Sequence, residues 1–429
     1  MGKSKLLIIL MIFNLTNFYS YNALPNGWYS IPSGLNSTLR SVHFTSENTG
    51  IIVGYGPSII MRTTNAGENW TVTNFTLNGI NLYMLYFVND QTGWISGDNN
   101  TSPFVNVILK TTNAGITWTE QRQGNGYIRN MHFLNAQTGW ISGSYFLKTT
   151  NGGTNWVSTL PTGYVNSSCV FFVNEQTGWA GGMPSGPVSV IKTTDGGQTW
   201  STQVTGSECY ELYFANAQTG YAVLQDGVKK TTNSGANWFI SFNAGWGISL
   251  SFLNAETGWV IPQYSGTARD IIKTYNGGIN WINDGYSGTE ILNDIFMFSN
   301  THGWAVCDNG VIYRTTTGGS TVGIEPISGS MPGNFDLQQN YPNPFNPVTK
   351  IKFQIPLSRG VDAAGGRGVL TKLSVYDLLG REVAILVKEQ LAPGTYEYQW
   401  DASNYPSGVY FCRLTAGDFS EVNKMVLIK

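Results

Sequence analysis

Charge is what this 429-residue chain has least of. Asp, Glu, Lys and Arg make up 12% of it, and the net charge is -2. Ordinary globular proteins carry about 25% charged residues. A nucleic-acid binder needs a basic face to meet phosphates, so that class is excluded. Disorder is excluded as well, because 13% of the residues are aromatic and such a chain can bury a core. Histidine is nearly absent. Of the three present, His43 and His132 immediately precede the anchoring Phe44 and Phe133 in separate units while His302 sits in a turn, and the trio does not read as a metal site. Neither a glycine-rich phosphate loop nor EF-hand carboxylate spacing occurs, and no cofactor is expected. Long apolar runs are missing beyond Leu6 to Phe13, which follows Lys3 and Lys5. That run is too short to span a bilayer and reads as a secretory signal over residues 1–23. The mature chain is therefore expected to carry no transmembrane segment and to be monomeric.

Cysteine is sparse too, with four in the chain. Cys169 and Cys209 lie on equivalent strands of adjacent repeats, at the same parity from Phe172 and Phe214. Side chains alternate faces along a strand, so both sulfurs are expected to point the same way around a ring. Isolated core thiols follow, in preference to a disulfide.

Repetition is what the chain has most of. A Thr-Gly-aromatic marker occurs at Thr92-Gly93-Trp94, Thr138-Gly139-Trp140, Thr177-Gly178-Trp179, Thr219-Gly220-Tyr221 and Thr257-Gly258-Trp259, with variants at Thr49-Gly50-Ile51 and His302-Gly303-Trp304. These seven markers are 38 to 46 residues apart. After each comes a basic residue followed by threonine: Arg62, Lys110, Lys148, Lys192, Lys230, Lys273 and Arg314. In six units a tryptophan stands eight residues later, at Trp70, Trp118, Trp156, Trp200, Trp238 and Trp281. An Asn/Asp-x-Gly turn lies between them, suited to a tight hairpin.

Each unit thus reads as four short strands; in the second they are Leu82–Val88, Gly93–Gly97, Asn106–Thr112 and Trp118–Arg122. One such sheet cannot hide both faces, and radial packing solves that problem. The seventh unit lacks its tryptophan and has Val322 in its place, while Trp28 stands unclaimed before the first unit. Trp28 to Ile31 is therefore the expected outer strand of the last blade. The fold class is all-β: a seven-bladed β-propeller over residues 24–319, closed by an N-terminal strand. An open solenoid is the alternative.

The Thr-Thr-Asn/Asp-x-Gly-x-x-Trp stretch resembles the Asp-box (BNR-like) turn of sialidases, sortilin-type receptors and xyloglucan-cleaving glycosidases. With the preceding Thr-Gly-Trp it resembles photosystem-assembly-factor propellers and their secreted bacterial relatives. That resemblance implies the fold and leaves the activity open.

Residues 320–334 read as a linker, and residues 335–429 as a small Ig-like β-sandwich. Strands are expected at Thr349–Ile355, Lys372–Tyr376, Glu382–Val387, Gly394–Trp400, Gly408–Leu414 and Lys424–Ile428, with a loop at 358–370. Asn343, Pro344, Phe345 and Asn346, then Tyr376, Asp377 and Gly380, then Trp400, Gly408 and Tyr410 together resemble the C-terminal sorting domain of the type IX secretion system. The resemblance implies a Bacteroidota-like Gram-negative cell, periplasmic transit, the type IX machinery as a partner, and a secreted or outer-surface location.

For chemistry the sequence offers little. Asp98, Asp226, Asp270, Glu290 and Asp294 fall near strand ends, but nothing orders them into the pair a glycosidase needs. The seven basic residues read as guards of outward blade edges, with a positive ring for an anionic polymer as the alternative. The longest irregular loops, 98–105, 181–187 and 261–268, share one face and offer Phe104, Met183 and Tyr264 as candidate binding residues. A non-enzymatic binding module for an extracellular glycan or protein is the favoured reading, and a glycoside hydrolase the alternative.

Overall fold

The computed structural model describes residues 27–429 apart from 75–78, 100, 160–166, 183–187, 244–246, 263–269, 285, 287, 320–325, 329–331, 357–368, 392 and 404. The signal segment, most of the 320–334 linker, Met183 and Tyr264 thus lie outside the described residues. So does the 358–370 loop, except that Val369 and Leu370 already belong to a strand, Val369–Tyr376. No described helix is long and apolar enough to cross a membrane.

Seven four-stranded antiparallel sheets form the propeller. In the second blade the strands are Asn81–Phe87, Gly93–Asp98, Val105–Thr111 and Thr119–Asn125. The seventh blade is completed from the other end of the repeats. Trp28–Pro32 pairs antiparallel with Val311–Thr315, in a register that sets Trp28 opposite Thr315 and Ile31 opposite Ile312. Trp28 is fully buried, as the tryptophan count requires.

The repeat signature has a mechanical explanation. In six blades the anchoring aromatic of the inner strand lies flat on the glycine of its own Thr-Gly marker, and in the seventh Met297 takes that place over Gly303: a Cβ on Gly93 would stand 2.7 Å from the Phe87 ring, and one on Gly139 2.2 Å from Phe133. Only glycine permits that approach. The next aromatic then stacks on the anchor of the following blade, as Trp94 does on Phe133 (centroids 3.6 Å, 7°) and Trp304 on Phe44 (3.4 Å, 7°). The tryptophan after the turn meets the same anchor edge-on, as Trp156 meets Phe133 at 80°. Edge-to-face and offset stacks of this kind add to the area they bury. The turn itself is held by the first threonine. Thr63 Oγ1 accepts from the backbone N–H groups of Asn65 and Gly67 at 3.2 and 3.0 Å, and Thr315 repeats this with Thr317 and Gly319.

The basic residues do not guard outer edges. Lys110 Nζ stands 5.1 Å from the Trp94 centroid and donates to Gly152 O of the next blade at 2.9 Å. Lys230 reaches Gly277 O at 2.6 Å, and Arg62 Nε reaches Ala114 O at 2.8 Å. Long stems, lying over an aromatic ring in Lys110 and Lys230, carry the charge to a neighbouring turn. Their repetition therefore serves contact between blades, and neither edge protection nor an anion ring is needed to account for it.

His43 and His132 belong to another structural ring. Together with Tyr86, Phe171, Tyr213 and Phe296 they occupy the position before the anchor in six of the seven blades, Ser251 standing there in the sixth, and neighbouring rings are in contact: His43–Phe296 at 4.6 Å, Tyr86–His132 at 5.5 Å and His132–Phe171 at 4.4 Å. Burial pushes both imidazoles down to about 4.

The C-terminal unit is a sandwich of two four-stranded sheets. One holds 326–328, 394–401, 348–355 and 336–337; the other holds 382–391, 369–376, 408–416 and 419–427. Phe353, Ile355, Leu373, Val375 and Leu414 are buried between them. Two short strands, Pro326–Ser328 and Asp336–Leu337, are additions to the expected set. Pro326–Ser328 pairs with the Gly394–Asp401 strand as a sheet edge, where proline is tolerated.

Candidate functional site

Each inner strand carries a register shift at the same place, four residues before its anchor. The extra residues are Arg40, Tyr83, Arg129, Ser168, Tyr210, Ile248 and Asn293. A bulge turns its residue out of the ladder and re-aims the side chain. All seven lie at the end of the ring where the inner strands begin and the second strands end. The loops joining second to third strands emerge at that same mouth.

Five of these side chains, those of Arg40, Tyr83, Arg129, Tyr210 and Asn293, meet one another or the rim. Arg40 Nη1 donates to Asn293 Oδ1 at 3.1 Å, joining the first and seventh blades, and Asn293 Nδ2 donates to Leu39 O and Asp308 Oδ1. The Tyr83 hydroxyl accepts from Asn81, and its ring meets Tyr55 edge-on at 5.5 Å. Burial, with Asp98 nearby, raises its pKa. Arg129 lies over the Tyr127 ring at 4.9 Å, and Phe104 meets that ring edge-on at 5.7 Å. Phe104 is 37% exposed and Tyr145 47%. Tyr210 donates to Glu208 Oε2 at 3.0 Å. Phe104 is thus at the mouth, where the loop argument puts it. Aligning the repeats on their anchors puts Arg40, Tyr83, Arg129 and Tyr210 in one column, but only the strand pairing shows that the column is a bulge.

The carboxylates are engaged elsewhere. Asp294 is enclosed and accepts from Ser41 Oγ, Val42 N, Ser249 Oγ and Ile295 N. Asp226 pairs with Lys229 at 2.9 Å and with Ser207. Glu290 accepts from the Tyr313 hydroxyl. Asp98 is 5% exposed. Asp270 borders residues outside the description. A further buried carboxylate is Glu211, one level inside the mouth, whose Oε2 accepts from Leu250 N at 2.7 Å. Burial, then the charge of Asp294, pushes it up to about 8. Among the described residues no group of three or more His, Cys, Asp or Glu could hold a metal ion.

The cysteine expectation needs correcting. None of the four cysteines is in a disulfide, but Cys169 Sγ and Cys209 Sγ face each other at 3.3 Å. The bulge at Tyr210 is the reason. Cys209 and Glu211 oppose adjacent residues, Leu224 and Val223, so they point to opposite faces although they are two apart. Counting parity through the bulge gave the wrong face.

In the tail, the signature residues hold the sandwich together. Asn343 Oδ1 accepts from Val426 N and its Nδ2 donates to Lys424 O. Phe345 is buried and tied to the terminal strand through Val426 O and Ile428 N. Asp377 Oδ1 accepts from Leu379 N and Arg381 N, closing a turn in which Gly380 takes φ 74°. Trp400 meets Tyr410 at 77°, and the Tyr410 hydroxyl donates to Pro406 O.

Residues 339–429 match the family model of the secretion system C-terminal sorting domain. No curated protein matches the chain. Among solved structures, the chain is similar to YCF48 bound to a D1 peptide (TM-score 0.55, 19% identity, 68% of this chain and 97% of that one). It is also similar to YCF48 from Cyanidioschyzon merolae (0.52, 17%, 67% and 98%). A GH74 xyloglucanase from Xanthomonas campestris matches at 0.52 and 11% identity, over 76% of this chain and 59% of that one. Identities this low bear on the fold alone. The chain joins a propeller-like fold to a type IX secretion C-terminal sorting domain, the module of a secreted or cell-surface protein.

Proposed function

We propose that this protein is a binding module that holds an extracellular protein segment or glycan at the loop-bearing mouth of its propeller. After periplasmic transit, the sorting domain directs its passage across the outer membrane. The observation behind this reading is the convergence of arginine and tyrosine side chains on one mouth through a bulge repeated in every inner strand. Arginine and tyrosine are enriched where proteins hold partners. Phe104 extends that surface, and Met183 and Tyr264, which lie outside the described residues, are assigned to it from the loop positions in the sequence alone. The repeat's likeness to Asp-box and photosystem-assembly propellers fits the same use, and YCF48, to which the chain is similar in structure, is found bound to D1 peptide. A glycosidase needs two carboxylates facing one open cleft. Asp226, Glu290 and Asp294 are instead engaged in internal contacts, which makes hydrolysis the weaker reading.

The test is to array extracellular glycans and surface-protein peptides and probe them with the full chain. The Phe104→Ala/Tyr127→Ala/Arg129→Ala variant serves as the comparison. A ligand held by the parent and lost by the variant is expected. Equal binding by both, or cleavage of an arrayed glycan, would overturn the reading.

A further inference from the structure

We propose that Cys169 and Cys209 are joined in the exported protein by a disulfide that staples the fourth blade to the fifth. This inference is independent of what the mouth binds. The sulfurs stand 3.3 Å apart, and both residues are buried, at 1% and 0% exposure. A disulfide needs about 2.05 Å, so the sulfurs must approach by roughly 1.3 Å, within reach of small χ1 rotations. Their strands, Ser167–Phe172 and Cys209–Phe214, are the inner strands of adjacent blades. Cys169 occupies the position that points forward to the next blade, as Glu211 does when it accepts from Leu250 N. Cys209, on the near side of the bulge, points back.

A second observation shows a site shaped around the pair. Gly181 is the residue opposite Cys169. Its counterparts in the other blades are Val53, Ser96, Ser142, Val223, Ile261 and Val306. Every one of these bears a side chain. A Cβ on Gly181 would lie 2.8 Å from Cys209 Sγ and 3.0 Å from Cys169 Sγ. The fourth blade alone has glycine here, and the missing side chain leaves room for two sulfurs.

The chemistry is thiol–disulfide exchange with a disulfide-bearing oxidant. One thiol loses its proton and attacks a donor sulfur, expelling one donor thiol. The second thiolate then attacks the mixed disulfide, forming the Cys169–Cys209 bond and expelling the other. The pair loses two electrons and two protons, and the donor gains them as two thiols. Exported proteins meet conditions in which such bonds persist. Burial raises the Cys169 thiol well above its ordinary range, so exchange belongs to the stage before the two blades close. Cys307 and Cys412 lie in the separate cores of the seventh blade and the tail, and they stay reduced.

The experiment refolds the full chain in a glutathione redox buffer, denatures it in an alkylating agent and maps the products. Alkylation of Cys307 and Cys412 alone is expected, with one cross-linked peptide pair containing residues 169 and 209. The parent should also lose thermal stability on reduction, while Cys169→Ala/Cys209→Ala should be indifferent to reductant. Alkylation at all four cysteines, or a cross-link involving Cys307 or Cys412, would overturn the proposal. So would a parent whose melting is insensitive to reductant.

Discussion

Lys273 of the sixth blade donates from Nζ to Gly318 O of the seventh at 3.2 Å, while its ammonium stands 4.5 Å from the Trp259 centroid. The side chain is fully buried. A buried lysine is tolerated only where its charge is hydrogen-bonded and its stem packed, and the blade seam supplies both. Lys273→Met keeps the stem and removes the donor. It should cost about 1–3 kcal/mol by leaving buried groups at the seam without their partner. Chemical denaturation measures this. Unchanged stability would mean that the lysine is no part of the seam.

Glu211 makes stability depend on pH in a definite direction. Its carboxyl, ordinarily at 4.5, is pushed up to about 8 in the folded chain, and Asp294 is raised by the same burial. Between those values the folded state holds a proton that the unfolded state has lost, so stability falls as pH rises. His43 and His132 act oppositely, weakening the fold as pH falls from 6.5 to about 4. Above about pH 6.5 an ordinary histidine is mostly neutral, which leaves Glu211 to set the slope. Melting of the parent should therefore drop toward about pH 8.5, by no more than about 1.4 kcal/mol per pH unit for a single group. Glu211→Gln should flatten the slope. An equal slope in the variant would remove Glu211 as its source.

The tail should be separable from the ring, provided that the cut respects the sheet. Pro326–Ser328 pairs with the Gly394–Asp401 strand of the sandwich, so a chain ending at residue 325 leaves no piece of the tail behind. It should fold and keep any mouth ligand, yet stay inside its native host. Fractionation of the host's cells and medium decides the matter, and normal export of the shortened chain would reject the sorting role.

Much of this was legible in the sequence because the repeat repeats its physics. Seven glycine markers, six of them followed by an aromatic residue and one by Ile51, located seven sheets, and one unclaimed tryptophan identified the closing strand. What escaped depended on a local irregularity with no signature of its own. The bulge at Arg40, Tyr83, Arg129 and Tyr210 is visible only once strands are paired, and it both builds the mouth and turns Cys209 toward Cys169. The basic residues were read as edge guards because repetition gives their level in the ring but not the carbonyl they reach. Met183 and Tyr264 lie outside the described residues, and their place at the mouth remains part of the proposal.

The ring's closure supports everything else, and it rests on Trp28. Its indole N–H donates to Asp284 Oδ2 at 3.2 Å, and that same oxygen accepts from Trp259 at 3.0 Å. Truncating a packed tryptophan commonly costs about 3–5 kcal/mol, a large share of a stability of roughly 5–15 kcal/mol. Hydrogen exchange on Trp28→Ala is the direct measurement. The account predicts that amides of Val311–Thr315, the strand paired with Trp28–Pro32, lose protection together with those of the first blade, Thr38–Phe44 included. If Val311–Thr315 stays as protected as in the parent while only the N-terminal strand loosens, the ring is not closed by that strand.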